Sequence, residues 1–222
     1  MGISTNVDES KDLKQWTLIS IIGTVVIVLV FLVGVIFYLI NNNINLKAAK
    51  IFETGYLKVL DLDKQTNVYS KQEMAKEIIP ILDEVIGEYP SSSSARRALF
   101  YKGYVSYYTE EYEKAEKVLK YFIEKYPNDY LVEKAYYFLS FCYEGQGKPE
   151  DAINSLKIFD NKLKNSYYAS ISFYRLANLY EKKSDIKNAL EYYQKIVDLK
   201  DNTSQKENAK KKILLLKNDI KL

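Results

Sequence analysis

Three segments of this chain share one arrangement of small and large residues at a period of 37. Ala115, Ala152 and Ala189 stand 37 residues apart. Twelve residues before each alanine comes a small residue: Gly103, Ser140 and Ala177. Sixteen before comes a large one: Leu99, Tyr136 and Phe173. Four and seven after come Leu119 and Phe122, Leu156 and Phe159, then Tyr193 and Ile196. Self-similarity at such a period means stacked supersecondary units, none of which can bury its apolar face alone. Each unit reads as two helices with a short turn between them. GQGKP at 145–149 is the clearest turn, with glycine to end one helix and Pro149 at the first position of the next.

This spacing resembles the tetratricopeptide repeat. The resemblance implies an all-α solenoid of helical hairpins in which the small positions lie where helices cross. Gly103, Ala115, Ser140, Ala152, Ala177 and Ala189 are then inter-helix packing residues, because a large side chain would splay the pair. The period of 37, against a usual 34, implies longer turns or helices. Full units are expected at 96–127, 133–164 and 170–201. A degenerate unit at 46–90 precedes them. Its helix B, 73–89, carries Ile78 at the alanine place and Pro80 inside. Its partner helix is expected at 46–60, joined through 61–70. SQKENAKKKILLLKND, within 203–219, fits the solvating cap that a repeat array requires.

No charged residue occurs between Lys14 and Lys47. Inside that gap, positions 18–40 make about 35 Å of helix, enough to cross a bilayer with some tilt. Trp16 and Tyr38 sit near its ends, as interfacial anchors do. Residues 16–40 therefore read as an uncleaved transmembrane signal anchor behind a short tail, 1–15. The run is too long for the core of a signal peptide. A buried core helix of this length with no polar face would be rare. Lysines flank it on both sides, so the positive-inside count does not decide orientation.

The layout of short tail, single span and small repeat domain closed by a basic-apolar helix is similar to the bacterial YfgM-like family. That resemblance implies an inner-membrane protein with a periplasmic repeat domain, ancillary to protein translocation and envelope chaperones, with protein partners. The same layout suits the membrane-anchored repeat proteins that form the collar of periplasmic flagellar motors. A membrane-anchored cytoplasmic adaptor differs only in orientation.

Chemistry is hard to place on these residues. The net charge of +3 is small and evenly spread, which argues against a nucleic-acid binder. The absence of histidine removes the commonest general base and metal ligand. Cys142 is single, so no internal disulfide forms, and its place on a predicted helix reads as core. The stretch 61–67 has the aspartates of a calcium loop, but it lacks the glycine at position six and has Gln72 at the bidentate place. GQGK has too few residues between its glycines for a phosphate loop. Asn202-Thr203-Ser204 is a glycosylation sequon by pattern only. The expectation is no enzyme, no cofactor and no metal.

In tetratricopeptide arrays the concave surface is lined by places two, five, nine, twelve and thirteen of each unit. The resemblance puts Arg97, Phe100, Tyr104, Tyr107 and Tyr108 there in the first full unit. The second gives Lys134, Tyr137, Phe141, Glu144 and Gly145, and the third gives Ile171, Tyr174, Asn178, Glu181 and Lys182. Seven of these fifteen are aromatic, which suits a groove that docks a peptide or helix. The alternative is that some of the rings only thicken the core. Phe100 and Tyr104 occupy the places where the acidic-tail-binding version of the repeat carries Lys and Asn, which points to an apolar or aromatic ligand segment.

Overall fold

The computed structural model describes residues 5–161, 168–199 and 204–219, with side chains from Trp16 onward except at positions 161 and 219. All regular elements among them are α-helices: α1 (Thr5–Leu62), α2 (Val68–Glu88), α3 (Ser93–Tyr108), α4 (Tyr112–Lys125), α5 (Val132–Gly145), α6 (Pro149–Leu156), α7 (Ile158–Asn161), α8 (Ala169–Lys182), α9 (Ile186–Asp198) and α10 (Ser204–Asp219). The chain divides into two compact units, residues 1–47 and 48–222.

In the first unit every large apolar side chain from Trp16 to Ile40 is exposed. Among the described residues α1 is the one helix long and apolar enough to cross a membrane. The hydroxyl of Thr24 donates to the Ser20 carbonyl at 2.9 Å, so this polar group needs no external partner. The span was expected to end at 40 and the first repeat helix to begin at 46, but α1 runs through both as one helix. No Gly or Pro interrupts that stretch, and the Asn45 amide donates back to the Asn41 carbonyl at 2.9 Å.

The second unit begins with the end of α1 packed on α2. A Cβ on Gly55 would lie 3.1 Å from Ile81, and Lys58 pairs with Glu77 at 2.6 Å. α2 starts at Val68, earlier than position 73, because Asn67 caps it by accepting from the Tyr69 N–H at 2.7 Å. The join is correspondingly shorter than 61–70. Asp61 pairs with Lys64 there, and Asp63 accepts from the Tyr104 hydroxyl. Pro80 lies inside α2 on its exposed side, where its missing N–H costs the helix one bond but no core contact.

Three helical hairpins follow, α3 with α4, α5 with α6 and α7, and α8 with α9, before α10 packs on α9 and α8. Each first helix closes in the same way. The N–H of Glu111, Lys148 and Asp185 donates to the carbonyl of Ser106, Tyr143 and Tyr180, at 2.9, 2.8 and 2.9 Å. Glu110, Gly147 and Ser184 donate to Tyr107, Glu144 and Glu181. This double closure needs a left-handed residue, and those three have φ of 63°, 73° and 59°. Tyr89 and Tyr126, each before a proline, share φ of −131° with ψ of 50° and 58°, outside the helical region that proline disfavours.

The packing positions are all buried: Gly103, Ala115, Ser140, Ala152, Ala177 and Ala189. A Cβ on Gly103 would come within 2.8 Å of Leu119. The apolar interior forms two clusters, one from Ala48 to Cys142 and one from Ala152 to Ala209, with Tyr136, Tyr137 and Tyr143 bordering both. The unit limits expected at 164, 201 and 203, positions 1–4 of the tail, and Asn202 and Thr203 of the sequon lie outside the described residues.

Candidate peptide groove

The concave register is carried by α3, α5 and α8, and its first half is paved with rings. Phe100 is fully buried against Phe122, with ring centroids 5.8 Å apart. Tyr104 is buried beneath Phe138 at 4.8 Å, and its hydroxyl donates to Asp63 at 2.8 Å. Burial raises the Tyr104 hydroxyl far above its ordinary value. The expectation that Phe100 and Tyr104 line an open groove is therefore corrected. Phe122 of α4 and Lys134 and Phe138 of α5 cover them, with Asp63 beyond α1, and they hold helices together.

Their neighbours are partly covered too. The Arg97 guanidinium lies 4.3 Å over Phe52, with its buried Nε lacking a hydrogen-bond partner. The Lys134 ammonium lies within 6 Å of four rings, Phe100, Tyr101, Tyr104 and Phe138. Attraction between cation and ring faces offsets the loss of water around it. Tyr107 packs on Phe138 and Phe141 at 5.2 and 5.6 Å, and burial pushes its hydroxyl up to about 12. Tyr108 lies under the Lys71 ammonium at 4.8 Å.

The face opens farther along. Tyr137 and Phe141 of α5, Ile171, Tyr174, Arg175 and Asn178 of α8, and Gln205 of α10 line a groove of about 280 Å³. Four of the expected binding residues meet here: Tyr137, Phe141, Tyr174 and Asn178. Tyr174 meets Tyr193 edge-on at 5.5 Å, and the Tyr193 hydroxyl lies 2.7 Å from Asn178 Oδ1. That hydroxyl also reaches Glu181, and with one proton it donates to one of the two at a time. Glu144 and Lys182 pair with each other, and Gly145 packs against the Tyr112 ring instead of facing the groove.

Arg175 escaped the sequence register, which does not include its place. Its side chain is 11% exposed. Its Nε donates to Ser140 Oγ at 2.6 Å, and its Nη2 donates to Glu144 at 2.7 Å. The guanidinium carbon lies 3.2 Å from the Phe141 ring centroid. Ser140 thus does two things, admitting a neighbouring helix by its size and fixing that helix's arginine by its hydroxyl. The only signal in the sequence was an arginine on a helix face that otherwise reads as core. Arg175, Asn178 and Gln205 supply hydrogen-bond donors to an otherwise ring-walled surface.

Cys142 is fully buried, and burial pushes its thiol up to about 12, which suits packing and not nucleophilic chemistry. Among the described residues no group of three His, Cys, Asp or Glu could hold a metal ion.

Residues 97–129 and 171–203 match models of the tetratricopeptide repeat. The chain thus carries tetratricopeptide repeats in these two segments. Solved structures of similar fold include MamA, residues 41 to the end, from Desulfovibrio magneticus RS-1. It is 22% identical, with 68% of this chain and 75% of that one covered and a TM-score of 0.53. Nearly identical TPR-like repeats from Podosopora anserina are 12% identical, with 77% and 85% covered and a TM-score of 0.55. At these identities the likeness is one of fold. No curated protein matches in sequence. Tetratricopeptide repeats of this kind are protein-interaction scaffolds.

Proposed function

We propose that this chain is a membrane-anchored interaction scaffold of the bacterial envelope. Residues 16–40 form its single span and the repeat units, 46–90, 96–127, 133–164 and 170–201, stand on the extracytoplasmic side. They hold an extended segment of a partner protein in the groove of Tyr137, Phe141, Tyr174 and Asn178. The observation that carries this reading is the ring-walled opening between α5 and α8, beyond a first half of the face whose rings are buried or partly covered. Tyrosine offers contact area at small entropic cost, and the amides of Asn178 and Gln205 suit the backbone of a bound peptide. The charge-free run from Trp16 to Ile40 supports the span.

The test is crosslinking in native membranes followed by recovery of attached proteins, comparing the natural chain with Y137A/Y174A. Loss of recovered partners with unchanged helical content is expected. Undiminished recovery would remove the groove from the reading. Protease accessibility in spheroplasts tests the side on which the repeats stand, and protection there would favour a cytoplasmic adaptor.

A further inference from the structure

α5 has a second accessible side. Tyr136, Leu139 and Tyr143 stand roughly 150° around the helix from Tyr137 and Phe141, at 100° per residue. With Ile123 of α4 they floor a depression of about 310 Å³ on the other face of the array. Glu124 of α4 and Asp151 of α6 stand on its rim, and both are exposed. Lys120, the cation in the lining, pairs with Glu116 at 3.6 Å. Neither rim carboxylate joins an ion pair among the described residues.

The matching surface is on α10. Ile213 and Leu216 pack on the second apolar cluster, while Leu214 and Leu215 are 64% and 60% exposed. Lys211 and Lys217 flank these leucines and are exposed. Lys210 and Lys212 pair with Glu207 and Glu181 at 2.7 and 2.9 Å, whereas Lys211 and Lys217 join no ion pair among the described residues. One chain thus carries an apolar knob between free cations and an apolar hollow between free carboxylates.

We propose that the Leu214–Leu215 face of α10 docks into the α4–α5–α6 depression of a second copy of this chain, with Lys211 and Lys217 meeting Glu124 and Asp151. Buried leucine supplies the attraction, and the charges select orientation and register. The two surfaces occupy different parts of the array, so the contact is head-to-tail. It leaves a free knob at one end and a free hollow at the other, and further copies add to both. This self-assembly is independent of the groove on the concave face.

The test is sedimentation velocity of the full chain in a neutral detergent across a range of concentrations. The natural chain should sediment faster as concentration rises. Neither K211E/K217E nor E124K/D151K should associate alone, since each places like charges across the contact. An equimolar mixture of the two should regain association, because each knob then faces a hollow of opposite charge. L214D/L215D should weaken association at least about tenfold, a loss of about 1.4 kcal/mol. A natural chain that stays monomeric throughout overturns the proposal. So does association that persists in both charge-reversed variants, as pairing through the apolar N-terminal helix would, or a mixture that stays apart.

Discussion

Arg175 sits over the ring of Phe141 with its guanidinium carbon 3.2 Å from the ring centroid, and this contact joins α8 to α5 beneath the groove. The same side chain bonds Ser140 and Glu144, so one arginine fixes the angle between two helices. Removing it leaves Glu144 with Lys182 and strips the Ser140 hydroxyl of its donor. We expect R175A to cost about 2 kcal/mol, in the range for hydrogen bonds to charged groups. R175K keeps the charge but not the planar fork, and should recover less than half of that. Equilibrium urea unfolding followed by circular dichroism measures both, and equal stability of the two variants with the natural chain would refute the role.

Acid should loosen the same junction. Burial alone would raise the Glu144 carboxyl, but Lys182 and Arg175 outweigh it and hold the group below the ordinary range. A carboxyl lowered in the folded state contributes stability that is full above its unfolded value, about 4.3, and is lost as pH falls through the folded value. E144Q should therefore be less stable than the natural chain at neutral pH. The difference should shrink as pH falls below about 4. Urea midpoints at several pH values decide this, and a gap that stays constant into acid would contradict it.

The left-handed turn residues offer a gain. Glu110 and Ser184 pay for φ near 60° with a Cβ, whereas Gly147 at the equivalent place does not. E110G and S184G should each stabilise by a few tenths to about 1 kcal/mol, the relief of strain being partly cancelled by greater freedom in the unfolded chain. G147A should destabilise by about 1 kcal/mol. Thermal unfolding would show opposite shifts, and a common sign for all three would be inconsistent with this account.

Gly103 and Gly145 separate true crowding from apparent crowding. A Cβ on Gly103 meets Leu119 at 2.8 Å, and Leu119 is fully buried and cannot step aside. G103A should lose about 1–3 kcal/mol to overpacking despite the better helix propensity of alanine. A Cβ on Gly145 meets the Tyr112 ring at 2.5 Å, but Tyr112 is only half-buried and can swing outward. G145A should cost less than half as much. Comparing their urea midpoints checks the order.

The repeats were legible because small and large residues recur in the same register, and close helix crossings leave little choice of residue type there. The groove was legible only in part. Periodicity assigns a residue to a helix face, but it cannot say whether a neighbouring helix covers that face. Phe100 and Tyr104 have the same register as Tyr137 and Phe141, yet only the first pair is buried, while the second is partly covered and lines the groove. The continuity of α1 was missed because the span and the first repeat helix were bounded separately, at 40 and 46, although the asparagines between them do not by themselves end a helix. Arg175 was missed because its role depends on three partners from one other helix, which no local pattern records.

The turns at Glu110, Gly147 and Ser184 close alike with three different side chains, so backbone hydrogen bonds set their shape and the residue does not. A chain punctuated this way is modular. Excising residues 111–147 would join Glu110 to Lys148 and recreate the same punctuation, shortening the array by one whole hairpin. Growth or loss of the scaffold can thus proceed in complete units, with its reach altered and its joints kept.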